Sequence, residues 1–355
     1  MNLKEYRGKI DQIDSKIVEL LNTRANLSMT IGKEKVKHKK GIYAPDREKE
    51  VLERIKALNQ GPMTKESFEA IYREIMSSCL TLEKSLKIAY MGPPASFSHL
   101  AARQKFGSQV EYVSYDNIGA VFQAVEKTEC DYGVVPIENS IEGAVTHTFD
   151  VLVDSDLKIC SEMMLEVSHN LLSKSPMEKI KKVYANPPIF GQCRNWLLTH
   201  LPQAERVETT SSTKAAQLAA KEPGAASIGS MMAAKVYNLR VIRADIEDLA
   251  YNVTRFLVVG RSDVPPTGKD RTSILFSIKD KVGALHAMLT PFEKNKINLT
   301  KIESRPSKKK AWDYYFFIDL EGHVEYKYVK EAIAEMEERV RFLKILGSYP
   351  SVREK

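Results

Sequence analysis

Apolar residues at positions 3, 6, 10, 13, 17, 20, 27 and 31 fall on one side of an α-helix, and this spacing predicts a helix over 3–36. Two further stretches of the same period predict helices over 46–58, closed by N-Q-G-P, and over 64–86. No strand-like alternation interrupts this segment. A first helix of such length predicts a bundle built across chains rather than a compact core within one. From Lys87 the period changes. Short apolar runs (I-A-Y-M-G, Y-G-V-V-P-I, K-V-Y-A-N, A-A-S-I-G-S, F-L-V-V-G) alternate with helical stretches such as L-A-A-R-Q-K-F, the signature of an α/β domain. Residues 256–259 suit a buried parallel strand. The domain closes at S-D-V-P-P-T-G-K-D, a linker. The remainder reads strand (272–278), helix (283–295), strand (297–304), strand (311–320), helix (325–342), strand (343–347), the βαββαβ order of a ferredoxin-like module. The expected division is 1–86 all-α, 87–261 α/β, 262–271 linker and 272–355 α+β.

A chain of 355 residues has room for these domains. Its net charge of +7 is modest for that length and suits small anionic ligands. The densest basic run, K-E-K-V-K-H-K-K at 33–40, has no interleaved aromatics, which argues against nucleic acid. No apolar run is long enough to span a membrane, and M-N-L-K-E-Y-R lacks the apolar core of a signal peptide. The cysteines form no C-x-x-C and the histidines no H-x-x-x-H, so neither a disulfide framework nor a metal site is expected. The reading is a cytoplasmic protein.

Arg24 and Lys35 interrupt the apolar stripe of the first helix. Eleven residues return almost to the same face, so the two cations stand about 16 Å apart on one side, placed to hold a small dianion between them. Arg7 lies about 25 Å from Arg24 along the helix and cannot readily join the same ligand. If it does so, a second chain supplies it. In the middle segment, Y-M-G-P-P-A-S-F-S (90–98), P-I-E-N-S (136–140), T-T-S-S-T (209–213) and I-G-S (228–230) each run from a strand into small polar residues. Open backbone N–H groups at helix starts attract anions, and in α/β sheets such turns gather at the strand ends. One such turn signals only a cap; four together suggest a polar cleft.

Residues 1–86 resemble the all-helical chorismate mutase family through R-G-K-I-D-Q-I-D (7–14), L-L-N-T-R (20–24), G-K-E-K (32–35) and D-R-E (46–48). The resemblance implies a pericyclic rearrangement of chorismate to prephenate with no covalent step and no cofactor. It assigns carboxylate clamps to Arg24, Arg47 and the other subunit's copy of Arg7, the ether oxygen to Lys35 and Glu83, and the substrate hydroxyl to Glu48. Glu83 stands where many members have glutamine, Cys79 where serine is common, and Ala44 near an often acidic position. An ionised carboxylate cannot donate to an ether oxygen, so Glu83 is expected to act protonated.

Residues 87–261 resemble prephenate dehydratases, two α/β lobes around a cleft in the manner of a periplasmic binding protein. The matching words are G-V-V-P-I-E-N-S-I-E-G (133–143), G-Q-C-R (191–194), A-A-S-I-G-S (225–230), I-E-D (246–248) and N-V-T-R-F (252–256). The resemblance makes Thr254 the acid that helps the hydroxyl leave, with Arg255 or a nearby dipole favouring that transfer and Phe256 setting the entry of the strand and helping to exclude water, both counted in the substrate-binding set. Asn139, Ser140, Gln192, Ser212 and Thr213 become substrate-binding groups. Two words depart from the pattern: A-S-F-S at Ala95 and Ser96 replaces G-T-F-S, and N-P-P-I-F from Asn186 through Pro188 replaces H-P-Q-A-L.

G-A-L-H-A-M-L (283–289) and E-S-R-P (303–306) resemble the ACT regulatory domain. This implies L-phenylalanine held by Gly283, Ala284, Leu285, Glu303, Ser304, Arg305 and Pro306 between paired domains of a homo-oligomer, at least a dimer. The whole is similar to bifunctional chorismate mutase–prephenate dehydratases under phenylalanine control. A ligand-binding regulator of the same architecture is the alternative, separated by an assay for phenylpyruvate. A mutase–dehydrogenase would require a G-x-G-x-x-G after a strand, which the sequence lacks. A nucleic-acid module predicts strongly salt-dependent binding.

Overall fold

The computed structural model describes residues 2–38, 41–249, 251–279, 281–307 and 314–352. Three helices open the chain: α1 (Leu3–Lys37), α2 (Pro45–Leu58) and α3 (Lys65–Glu83). A capping box starts α1, the Asn2 side chain accepting from the Glu5 N–H at 3.0 Å while Glu5 accepts from the Asn2 N–H at 3.1 Å. The stripe that predicts this helix stays uncovered within one chain: Leu3, Ile10, Ile17, Leu20 and Leu27 are all exposed. Gly32 is buried because α3 crosses close to it, and a Cβ there would stand 2.8 Å from Glu83 Cβ. Helix α3 stops at Glu83 rather than 86, since Lys84 turns extended and Leu86 enters the core of the next domain.

That domain has two lobes. The first holds β1 (Lys87–Met91), α4 (Phe97–Phe106), β2 (Glu111–Tyr115), α5 (Ile118–Glu126), β3 (Tyr132–Asn139), β4 (Gly143–Ala144), α6 (Thr146–Asp154) and β5 (Lys158–Glu166). The second holds β6 (Asn170–Ser173), β7 (Lys182–Ala185), α7 (Pro187–Gln192), α8 (Arg194–His200) and β8 (Glu205–Glu208). It is completed by α9 (Ser212–Ala219), β9 (Ala225–Gly229), α10 (Met231–Val236) and β10 (Arg240–Arg243). The chain then returns to the first lobe as β11 (Val253–Gly260). Strand order is β2-β1-β3-β11-β5, with β4 on β3, in the first sheet and β10-β6-β9-β7-β8 in the second. The two crossings between lobes run side by side, Val167 N–H bonding Asn252 O at 2.8 Å. Strand β11 is antiparallel to both β3 and β5, not parallel as its apolar run suggests. Burial on both faces accounts for the run, and the return from the second lobe sets the direction.

The last domain is β12 (Asp270–Ser277), α11 (Ala284–Lys294), β13 (Leu299–Pro306), β14 (Tyr314–Glu321), α12 (Lys327–Glu337) and β15 (Phe342–Pro350). This is the expected βαββαβ order, with strands arranged β13-β14-β12-β15. Residues 311–313, expected to open its third strand, lie outside the described residues, as do 39–40 of the basic run. Helix α12 ends before 342 because Phe342 is drawn into β15 opposite Ser277. The expected linker reaches β12 by Asp270, and Val264 within it is buried. No helix among the described residues is long and apolar enough to cross a membrane.

The first lobe and the last sheet share one core. Phe317, Leu346 and Tyr349 pack with Val135, Phe149 and Leu257. Gly347 permits the approach: its φ is +154°, and a Cβ there would stand 2.3 Å from Ile159 O. We expect Gly347→Ala to destabilise the chain by about 1–3 kcal/mol, since backbone rather than a flexible side chain must give way. A lowered urea midpoint measures the loss.

Candidate active sites

The α1–α3 contact at Gly32 brings the first set of expected residues together. Lys35 Nζ stands 2.9 Å from Glu83 Oε2 and donates to Ile42 O at 2.6 Å. Arg24 Nη1 donates to Cys79 Sγ at 2.7 Å. Cys79 and Glu83 are four residues apart on α3 and share a face, so both cations of α1 turn to the same side. Glu48 lies beyond the loop that carries Ile42, where Tyr43 OH donates to its Oε2 at 2.8 Å and Lys105 Nζ approaches the same oxygen to 3.1 Å. Burial, then Glu48, push the Tyr43 phenol well above its ordinary pKa. Arg7 and Arg47 do not join this group. Arg7 is exposed far down α1, and the exposed Arg47 pairs with Glu50 at 2.5 Å. Ala44 caps α2 with no side-chain hydrogen bond.

The second set meets where the lobes face each other. Thr254, on β11, is paired with Asn139 at the end of β3, and Asn139 Nδ2 donates to Thr254 Oγ1 at 2.8 Å. That leaves the threonine's own O–H available to a ligand. Asn139 Nδ2 also donates to Asn252 Oδ1 at 2.7 Å, Asn252 Nδ2 to Gln192 Oε1 at 3.1 Å, and Gln192 Nε2 to Glu142 Oε1 at 2.9 Å. This amide chain runs from Thr254 to the second lobe and back. Asn139 Oδ1 accepts from the Ile141 and Glu142 N–H groups, so P-I-E-N-S forms a side-chain-closed turn and not a helix cap. Ser140 is spent on the backbone, donating to Tyr251 O and accepting from Val253 N–H, each at 2.9 Å.

The other three clusters are caps: Ser96 on α4, Ser211 on α9 and Ser230 on α10. Ser212 and Thr213 therefore open α9, Ser212 half-buried and Thr213 buried with no partner for its Oγ1 among the described residues. Ala95 adopts φ +69°, a left-handed conformation that costs a residue with a Cβ roughly 1–2 kcal/mol. Asn186 caps α7 without a side-chain bond, its buried Oδ1 unpartnered among the described residues ahead of Pro187 and Pro188. Phe256 is buried in one apolar cluster with Ile88, Tyr90 and Val134 of the first lobe.

Two residues of the cleft escape the sequence reading. Asn252 opens the N-V-T-R-F word and was open to detection there. His169, at a lobe crossing, carries no spacing signal. Its Nε2 lies 2.6 Å from Gln192 Oε1, while its backbone N–H donates to Glu247. Burial lowers its pKa below the ordinary 6.5, so at neutral pH the ring is neutral with its proton on Nε2.

Arg255 belongs elsewhere. Successive residues of a strand face opposite sides, so Arg255 points away from the Thr254 cleft. Its Nε donates to Glu162 at 2.7 Å, Nη1 to Asp319 at 2.5 Å and Nη2 to Tyr349 OH at 3.0 Å. Arg271 shares Glu162 Oε2. Burial opposes the Arg255 charge, but Tyr349, Asp319 and Glu162 together hold its pKa above the ordinary value. A cavity of about 450 Å³ opens on this side, bordered by Arg255, Arg271, Glu138 and Lys301. The expected direct role of Arg255 at the substrate therefore gives way to one in the joint with the last domain. There, Gly283 takes a left-handed φ of +76° at the start of α11, leading into the buried Ala284 and half-buried Leu285. Glu303, Ser304, Arg305 and Pro306 lie on the edge strand β13, with Arg305 turned to Asp150 of the first lobe at 3.4 Å.

Sequence profiles for chorismate mutase type II, prephenate dehydratase and the ACT domain match residues 6–84, 88–264 and 272–338 in turn. The bifunctional chorismate mutase/prephenate dehydratase of Aquifex aeolicus is 48% identical over 353 residues, 98% of either chain. The chain belongs to this family. The Pseudomonas aeruginosa member is 41% identical over 355 residues, 98% of this chain and 97% of its own. Among solved structures, a prephenate dehydratase from Arthrobacter aurescens in complex with L-Phe is 30% identical with a TM-score of 0.70, covering 75% of this chain and 90% of that one. The Thr254 and Lys35 clusters lie in different domains, one in the two-lobed domain and one in the helical domain. Asp319→Ala should cost about 3–5 kcal/mol in urea unfolding, because it strands a buried guanidinium with too few acceptors.

Proposed function

We propose that the chain converts chorismate to prephenate in its helical domain and prephenate to phenylpyruvate, CO₂ and water in its two-lobed domain, in the cytoplasm, under inhibition by L-phenylalanine. The observation that carries this is the presence of two separate polar clusters, Arg24–Lys35–Glu83 and Asn139–Thr254–Gln192, each in the domain whose family performs that reaction.

In the mutase step Arg24 binds a substrate carboxylate, Lys35 and Glu83 face the ether oxygen, and Glu48 accepts from the ring hydroxyl. Clamping and charge stabilisation suffice for a pericyclic reaction. Lys35 and Glu83 are bonded to each other in the free chain, so substrate must part or bridge that pair. Arg7 and Arg47 complete the carboxylate clamps when a second copy covers the exposed stripe of α1, making the chain a dimer or a larger homo-oligomer. In the dehydratase step Asn139, Gln192, Ser212 and Thr213 hold prephenate. Thr254 gives its proton to the leaving hydroxyl, the electrons of the breaking C–CO₂ bond enter the ring, and water and CO₂ depart. The alkoxide then regains a proton from solvent. Neither step calls for a cofactor or metal. L-Phenylalanine occupies the turn at Gly283–Leu285 and the strand at Glu303–Pro306, as the L-Phe bound to the Arthrobacter enzyme supports.

A coupled assay on purified chain tests this. Chorismate should yield phenylpyruvate, more slowly with L-phenylalanine present. Thr254→Ala should lose at least ~10²-fold of dehydratase turnover and accumulate prephenate with the mutase rate intact. Formation of phenylpyruvate by that variant at the parental rate would remove Thr254 from the mechanism. Glu83→Gln places a standing amide donor opposite the ether oxygen, where a carboxylate can only accept, so the mutase rate of that variant should at least match the parent's. A loss of ~10²-fold would remove Glu83 from the ether oxygen.

A further inference from the structure

Both partners of Glu48 sit on the same oxygen. Tyr43 OH and the Lys105 ammonium reach Oε2 at 2.8 and 3.1 Å, and no hydrogen bond reaches Oε1 among the described residues. Lys105 is not part of the helical domain. It lies in the last turn of α4, in the first lobe of the dehydratase domain. Its ammonium stands 5.9 Å from the centroid of the Tyr43 ring, which packs on Phe106 at 4.8 Å. Lys105 and Glu48 side chains are only 16% and 11% exposed, so solvent screens the pair weakly.

We propose that Lys105 is a positioning residue for the mutase reaction, by which the dehydratase domain completes the mutase site. With Tyr43 it clamps Oε2 and fixes the carboxylate plane, leaving Oε1 as the acceptor for the substrate hydroxyl. A carboxylate already held in one orientation loses no rotor freedom when substrate binds. The proposal rests on the assignment of Glu48 to the hydroxyl. The sequence alone offers no sign of it, since Lys105 reads as a surface cation on an amphipathic helix.

Lys105→Met in the full chain keeps a long unbranched side chain and removes the charge. Loss of a charge-assisted clamp should raise KM for chorismate about tenfold with kcat little changed, because the hydroxyl contact exists in ground and transition states alike. Dehydratase turnover of prephenate in the same preparation should be unaffected, and Lys105→Arg should restore KM. In a Glu48→Gln background, Lys105→Met should add no further loss. An unchanged KM in Lys105→Met of an active chain overturns the role of Lys105 and leaves the proposed function standing. So does an equal, independent loss in the Glu48→Gln background, or a parallel fall in dehydratase turnover. A parent chain inert toward chorismate overturns the functional reading itself.

Discussion

The buried guanidinium of Arg255, shared between Glu162 on β5 and Asp319 on β14, is the contact on which the arrangement of the domains depends. Charges withdrawn from water cost several kcal/mol each and are tolerated only as a satisfied set. Two arginines therefore meet two carboxylates here, with Tyr349, Ser273 and the Val352 N–H adding bonds, while Arg271 Nε keeps no partner among the described residues. The set draws on β5, β11, β12, β14 and β15 at once, so those strands hold one another in register. Thr254 precedes Arg255 on β11 and inherits its position from this joint. The hydroxyl that faces the cleft is thus placed by a salt-bridge cluster on the far side of the same strand.

Much of the fold is legible in the sequence because it follows from periodicity. The helical stripe of α1, the change of period at Lys87 and the βαββαβ order each rest on local patterning. What local pattern cannot carry is direction and partnership. The apolar run at 256–259 marks a strand buried on both faces but says nothing of its antiparallel neighbours, which are set by a loop through another lobe. Arg255 is a different case. Alternation along a strand already separates it from Thr254, and the shared motif obscures that separation. Gln192 is visible as a motif residue. The His169 ring that fixes its amide is visible only in three dimensions.

The departures from the family's usual words fall where the backbone bears the cost. Ala95 occupies a left-handed turn that glycine takes freely, yet its N–H and C=O are both used, by His99 Nδ1 at 3.0 Å and Ser230 Oγ at 3.4 Å. The second of these bonds crosses between lobes. Helix α4 begins just beyond it, with Phe97 edge-on to His169 at 5.8 Å, and ends with Lys105 beside Glu48. One short helix therefore touches the surroundings of both sites.

The close approach at Gly347 has a mechanical consequence. With the backbone of β15 resting on that of β5 at Gly347, the first lobe and the C-terminal sheet are joined backbone to backbone there and share one core, a common chassis. The second lobe, by contrast, is hung from two adjacent crossings and closed by a few amide bonds around Gln192. A load applied at the far end of the chassis therefore passes to the second lobe through the paired crossings at Val167 and Asn252 and the amides around Gln192.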